Sequence, residues 1–210
     1  MTRVRRSAKR PYASPKREAA REATRDAIVA SAGRVLRERG WDGFSLEEVA
    51  RAAGVTRLTV YHQLGDRRGL LEAVFDEQAE RAGLGDIAGA MRHADPRAAL
   101  ERVVAIFFAF WRASKPMRGI MAAAAGDPQL AEAIAARNER RRKLLAVLVG
   151  RMVERGDVDP SRAPALVDTL FALTSFAFYA ELEKGRALRR KDAAEHAVAE
   201  LVALAVDAAR

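Results

Sequence analysis

The chain has 210 residues, half of them apolar, which is enough to bury a sizeable core in one or two domains. It contains no cysteine, so a disulfide framework and a Cys-based zinc site are excluded. The apolar stretch Phe107–Trp111 is too short to span a bilayer and the basic first 25 residues lack the apolar segment of a signal peptide, a pattern that fits a cytoplasmic protein without membrane contact.

The formal net charge is +9, and the excess is unevenly spread. Arg3, Arg5, Arg6, Lys9, Arg10, Lys16, Arg17, Arg21 and Arg25 are opposed before Asp26 only by Glu18 and Glu22. Residues 1 to about 17, which include Pro11 and Pro15, predict a disordered basic arm. Such an arm is the footprint of a polyanion partner, although a solvated tail has the same composition. Residues 18–39 form the first predicted helix, with Ile28, Ala32, Val35 and Leu36 as its apolar stripe and Gly40 as its stop. Trp41 and Phe44 follow in a short loop and are predicted to plug the core.

Two short helices come next. Ser45 and Glu48 make an S-x-x-E capping box, and Leu46, Val49, Ala50 and Ala53 fall on one face. Gly54 stops that helix and Thr56 caps the next. Two helices joined by a tight glycine-containing turn make a helix-turn-helix, whose second helix enters the major groove of DNA. On a wheel of that second helix Val60 and Leu64 face the core, while Leu58 and His62 face away, flanked by Thr59 and Tyr61. Leu58 suits a thymine methyl and Arg57 a guanine edge. Thr59, Tyr61 and His62 suit phosphate oxygens. A helical hairpin with an ordinary polar face fits the same pattern. Asp66 caps a connecting helix, 66–82, and Arg67 lies in its first turn, where a phosphate would be welcome.

Glycines 83, 85 and 89 place a domain boundary near 82–95, so that residues 83–210 form a second domain. Helices are predicted over 96–113, from Pro116 to Gly126, from Asp127 to about Arg155, over 161–184 and from Lys191 to Ala208. No alternating strand pattern occurs, and the predicted class is all-α with about nine helices.

The segments TRDAIVASA (24–32), GWDGFS (40–45), EVARAAGV (48–55), T-x-x-T-V-Y (56–61) and G-D-R-x-G-L-L (65–71) resemble the TetR/AcrR family of bacterial transcriptional regulators. They span about a quarter of the chain. The resemblance implies a helix-turn-helix DNA-binding domain over 18–65 and a ligand-binding and dimerisation domain over 83–210. By position it assigns DNA contact to Ser45, Thr56, Arg57, Leu58, Thr59, Tyr61, His62 and Arg67. Gln63 and Leu64 depart from the aromatic residues common there. The resemblance further implies double-stranded DNA with a pseudo-palindromic operator as partner, and a homodimer through helices about 161–184 and 192–208.

Phe107, Phe110, Trp111, Met117, Met121, Phe171, Thr174 and Phe178 are the candidate lining of a pocket for a small-molecule effector, although core or dimer interface would also explain them. His62, His93 and His196 lie on separate segments, so no metal site or cofactor is predicted. No nucleophile motif or Gly-rich phosphate loop argues for an enzyme. The expected function is a repressor released from its operator by a largely apolar ligand. A DNA-binding regulator controlled by a protein partner or without a ligand, and a helical small-molecule binder without DNA function, are the alternatives.

Overall fold

Glycines and capping side chains punctuate the first third of the chain, and its helices fall between them. The structure, a computed structural model, describes residues 15–113, 117–184 and 193–210. Helix α1 (Pro15–Arg39) starts earlier than its apolar stripe suggests, and only its second half is covered. Ile28, Ala32, Val35 and Leu36 are buried, whereas residues 15–23 are exposed. Lys16, Arg17, Arg21 and Arg25 therefore stand on a solvent-facing helical extension. The rest of the predicted basic arm, residues 1–14, lies outside the described residues.

Gly40 turns the chain at φ +67°, a conformation that a side chain strains. Trp41 and Phe44 then drop into the core with their rings stacked 5.6 Å apart. Helices α2 (Leu46–Ala53) and α3 (Arg57–Leu64) follow. Ser45 Oγ accepts the Glu48 N–H at 3.2 Å, and Thr56 Oγ1 accepts the Thr59 N–H at 3.1 Å. Each cap contributes about 1 kcal/mol to its helix. The Glu48 carboxylate, expected to close the capping box, pairs with Arg39 and Arg51 instead. Helix α4 (Arg67–Arg81) starts from Asp66, which accepts the Gly69 N–H at 3.0 Å. Gly69 answers a close approach: a Cβ there would lie 2.0 Å from the Leu64 carbonyl oxygen at the end of α3.

A 3-10 turn over 84–86 and a short helix, α5 (Ile87–Met91), occupy the glycine-containing boundary. Helix α6 (Pro96–Ala113) follows, burying Val103, Val104, Phe107, Phe108 and Phe110. The remaining helices are α7 (Met117–Ala123), α8 (Pro128–Glu154), α9 (Ala163–Leu173), α10 (Phe176–Lys184) and α11 (Ala193–Asp207). Helices α8, α10 and α11 pack directly on α6.

The described residues hold eleven α-helices and no strand, where the pattern predicts about nine helices. The all-α class stands. One added helix is α5; the other arises because the helix predicted over 161–184 is broken. At the break Thr174 Oγ1 donates to the Leu170 carbonyl at 2.8 Å, and Ser175 Oγ accepts the Phe178 N–H at 3.1 Å. Such short-range side-chain bonds compete with the helical ladder, and α9 and α10 meet at 52°. Among the described residues no single helix is long and apolar enough to cross a membrane.

Candidate nucleic-acid interface and ligand cavity

Helix α3 is anchored by Val60, which is fully buried. Its opposite face is open: Leu58 is 62% and Tyr61 56% exposed, and His62 is exposed with its ring 6.2 Å from that of Tyr61. Arg57 is also exposed and pairs with Glu47 of α2 at 2.5 Å. A surface pair of this kind is worth less than about 1 kcal/mol, so the guanidinium can exchange Glu47 for a base edge at small cost. Thr56 Oγ1 and Thr59 Oγ1 lie 2.8 Å apart, fixing both hydroxyls at the start of the helix. Thr56, Arg57, Leu58, Thr59, Tyr61 and His62 thus share the surface of α3 and its cap. Ser45 stands apart, half-buried at the start of α2.

Arg67 is not part of that surface. Its guanidinium lies 3.6 Å over the Trp41 ring, donates to the Trp41 carbonyl and stands 3.6 Å from Asp127. Burial pulls its pKa below the ordinary arginine value, and Asp127 and Asp42 oppose that shift. The neighbouring Arg68 is taken by Glu72 at 3.2 Å and Glu132 at 3.0 Å. The expected phosphate grip at the start of α4 is therefore occupied by contacts within the protein.

A cavity of about 280 Å³ lies between α4, α6, α7 and α8. Of the eight candidate lining residues, Phe107, Phe110, Trp111, Met117 and Met121 border it. Phe171, Thr174 and Phe178 do not border it. Thr174 is fully buried, and its carbonyl accepts from Trp111 Nε1 at 3.0 Å and Arg141 Nη1 at 2.8 Å. Phe171 lies beneath the guanidiniums of Arg141 and Arg142, each 4.4 Å from its ring centre.

The cavity also takes Phe75, Asp76 and Ala79 from α4 and Arg137, Arg140 and Arg141 from α8, none of which the apolar pattern singles out as pocket lining. A sequence signal for two of these exists. The buried stripe of α8, with Leu130, Ala133, Leu145, Leu148 and Met152, passes through positions 137 and 141 at i, i+4 spacing. A cation on an apolar stripe faces inward.

Residues 28–74 match the tetR family of bacterial regulatory proteins, and residues 92–205 match the tetracyclin repressor-like C-terminal domain. The second match alone spans more than half of the chain. The chain belongs to the TetR family of bacterial transcriptional regulators. It is 31% identical over 142 residues to the HTH-type transcriptional regulator EthR of Mycolicibacterium smegmatis, an alignment covering 67% of this chain and 65% of that protein. It is 38% identical over 71 residues to the HTH-type transcriptional regulator AlkX of Mycobacterium tuberculosis, covering 34% of this chain and 32% of the relative. The chain thus aligns with less than two thirds of the length of either. A transcriptional regulator from Rhodococcus sp. Rha1 shares the fold with a TM-score of 0.67 and 21% identity, over 88% of this chain and 97% of that one.

In this TetR-family chain the two domains are fastened along α8. Asp127 caps α8 by accepting the Leu130 N–H at 3.1 Å, and it also accepts Trp41 Nε1 at 3.1 Å. The Leu130 amide first, then Trp41 and Arg67, hold its carboxyl below the usual carboxylate range. Further along, Arg137 donates to the Glu72 carbonyl at 3.1 Å and pairs with Asp76 at 3.0 Å. The start of α8 is therefore tied to the loop that precedes α2, its middle is tied to α4, and the cavity lies beside the second attachment.

Proposed function

We propose that this chain is a homodimeric, cytoplasmic repressor that reads a pseudo-palindromic operator through α3 and leaves it when a largely apolar small molecule fills the cavity. The observation that carries this reading is the placement of α4. Its first turn abuts the end of α3 at Gly69, and its later turns supply Phe75, Asp76 and Ala79 to the cavity wall. A ligand pressing on that wall acts on a helix rooted against the recognition helix. If DNA and ligand favour different settings of α4, each weakens the other by the same factor. The dimer is assigned to α9, α10 and α11: Val198, Val202 and Val206 of α11 face inward, while Leu201 and Leu204 stay 40% and 65% exposed, which suits a partner helix.

The test begins with in-vitro selection of bound DNA. Against the selected site and its single-base variants, Arg57→Ala is expected to relax discrimination at one operator position by about 1–3 kcal/mol. Uniform weakening across all sites would remove the base-reading role. With a ligand that releases the operator in hand, Trp111→Ala is expected to keep DNA affinity and abolish release.

A further inference from the structure

Arg141 is 6% exposed on the apolar stripe of α8, and it borders the cavity. Its Nη1 donates to the Thr174 carbonyl at 2.8 Å, but its buried Nε has no acceptor among the described residues. No described carboxylate pairs with it. The carboxylates paired with its neighbours on α8 are already engaged: Asp76, on the cavity wall, pairs with Arg137, and Asp168 pairs with Arg142. A buried cation without a counter-ion is costly, and the guanidinium fork matches a carboxylate with two parallel N–H donors. The apolar part of the cavity wall includes Phe107, Phe110, Trp111, Met121 and Leu144, beside the polar Asp76, Arg137, Asn138 and Arg140.

We propose that the cavity binds a lipophilic carboxylate, with Arg141 holding the headgroup and the aromatic and methionine walls holding the tail. This rests on the reading of the cavity as the effector site. Among the described residues Arg141 is the buried guanidinium of this lining without a carboxylate, since Arg137 is paired with Asp76 and Arg140 is exposed; a single negative charge matches it, whereas a phosphate dianion would bring a second charge that it does not meet. The volume of about 280 Å³ lies near the lower end of small-molecule pockets, so a single chain of moderate length fits and a two-chain lipid does not. Burial, with Arg142 adding to it, already lowers the Arg141 pKa to about 10, and a bound carboxylate would reverse that shift.

Decanoate, decan-1-ol and decyl phosphate, titrated below their micelle concentrations into the full chain by calorimetry, test the assignment. Decanoate is expected to bind at least about ten-fold more tightly than decanol, as a charge-assisted headgroup contact implies. Arg141→Met should abolish that preference while decanol still binds, and Arg141→Lys, which keeps the charge without the fork, should retain part of it. Equal binding of acid and alcohol, a preference that survives Arg141→Met, or tighter binding of decyl phosphate would each overturn the carboxylate assignment. Met121→Trp, which fills the cavity, is expected to block all three ligands. Binding unaffected by Met121→Trp would show that the ligands bind elsewhere, and the effector-site reading would fall with the assignment. If none of the three binds, the carboxylate assignment fails; release of the operator by another apolar compound, blocked by Met121→Trp, would then uphold the cavity reading separately.

Discussion

Replacing Arg141 by methionine removes the charge while keeping most of the aliphatic volume, so it isolates what the buried cation costs the empty protein. A pKa lowered from the ordinary arginine value to about 10 corresponds to a penalty on the order of 3 kcal/mol in the folded state. Against this stand a charged hydrogen bond to the Thr174 carbonyl, worth about 1.5 kcal/mol, and the contact with the Phe171 face, worth about 1 kcal/mol. The Thr174 carbonyl keeps the Trp111 donor when Arg141 is replaced. The balance is therefore neutral to stabilising by about 1 kcal/mol, a change in Tm between zero and about +4 °C for a chain of this size. Thermal unfolding of the ligand-free protein at pH 7, followed by circular dichroism, reads it. The sign also sets a pH dependence. With the folded pKa lowered, the unfolded chain binds more protons from about pH 10 up to the ordinary arginine pKa. The penalty is thus complete below about pH 10 and relieved as pH rises through that window, where the difference between wild type and variant should change by the same amount. A fall in Tm of more than about 5 °C at pH 7 would mean that Arg141 stabilises the empty cavity, and the reasoning from its missing counter-ion would fail.

Three further outcomes follow from other parts of the fold. Gly69→Ala places a Cβ 2.0 Å from the Leu64 carbonyl oxygen, so α3 and α4 must separate; a loss of about 2 kcal/mol or more in denaturant unfolding is expected, together with weaker operator binding, and unchanged stability would contradict the close approach. Trp41→Phe keeps the ring under Arg67 but removes the N–H to Asp127; operator affinity and the extent of ligand release are expected to change together in a binding assay, whereas no change in either would show that this hydrogen bond carries no coupling. Deleting residues 1–14 leaves α1 intact and should flatten the dependence of operator binding on salt, by roughly 0.9 in logarithmic slope for each phosphate that the segment neutralises; an unaltered slope would mean that it touches no phosphate.

The helix-turn-helix half is legible in the sequence because its signals are local. Ser45, Gly54, Thr56, Gly65 and Asp66 act within four residues of their own position, and each caps or ends the helix beside it. The outward face of α3 follows from one buried residue, Val60, and the helical period. The cavity is less legible because its walls come from segments far apart in the chain. Apolar residues on α6 point to it, but Phe171, Thr174 and Phe178 do not border it, and the break between α9 and α10 involves hydroxyl bonds that hydrophobic period does not encode. Arg137 and Arg141 carry a readable signal, since they interrupt the apolar stripe of α8; a run of adjacent cations hides which of them point inward. The internal partner of Arg67 is hidden for a related reason: Asp127, 3.6 Å from its guanidinium, is contributed by the chain sixty positions later.

Arg67 and Arg141 are the two described side chains with a buried, unpartnered Nε, and the contrast between them separates a structural cation from a receptive one. Arg67 has what a half-buried guanidinium needs: an aromatic face beneath it, a backbone carbonyl, and a carboxylate 3.6 Å away. Its charge is compensated inside the protein, and its removal would leave Asp127 with less support at the junction of the two domains. Arg141 has the aromatic face and the carbonyl but lacks the carboxylate, although it is the more buried of the two. Adding a carboxylate to Arg67 would crowd a pair already made, whereas adding one to Arg141 completes the same arrangement. The proposed carboxylate would lie in the cavity that Arg141 borders together with Phe107 and Trp111, and one helix joins that cavity to the junction at Asp127. A ligand that supplies the absent charge acts on the same rigid element that Trp41 and Arg67 clamp at its start.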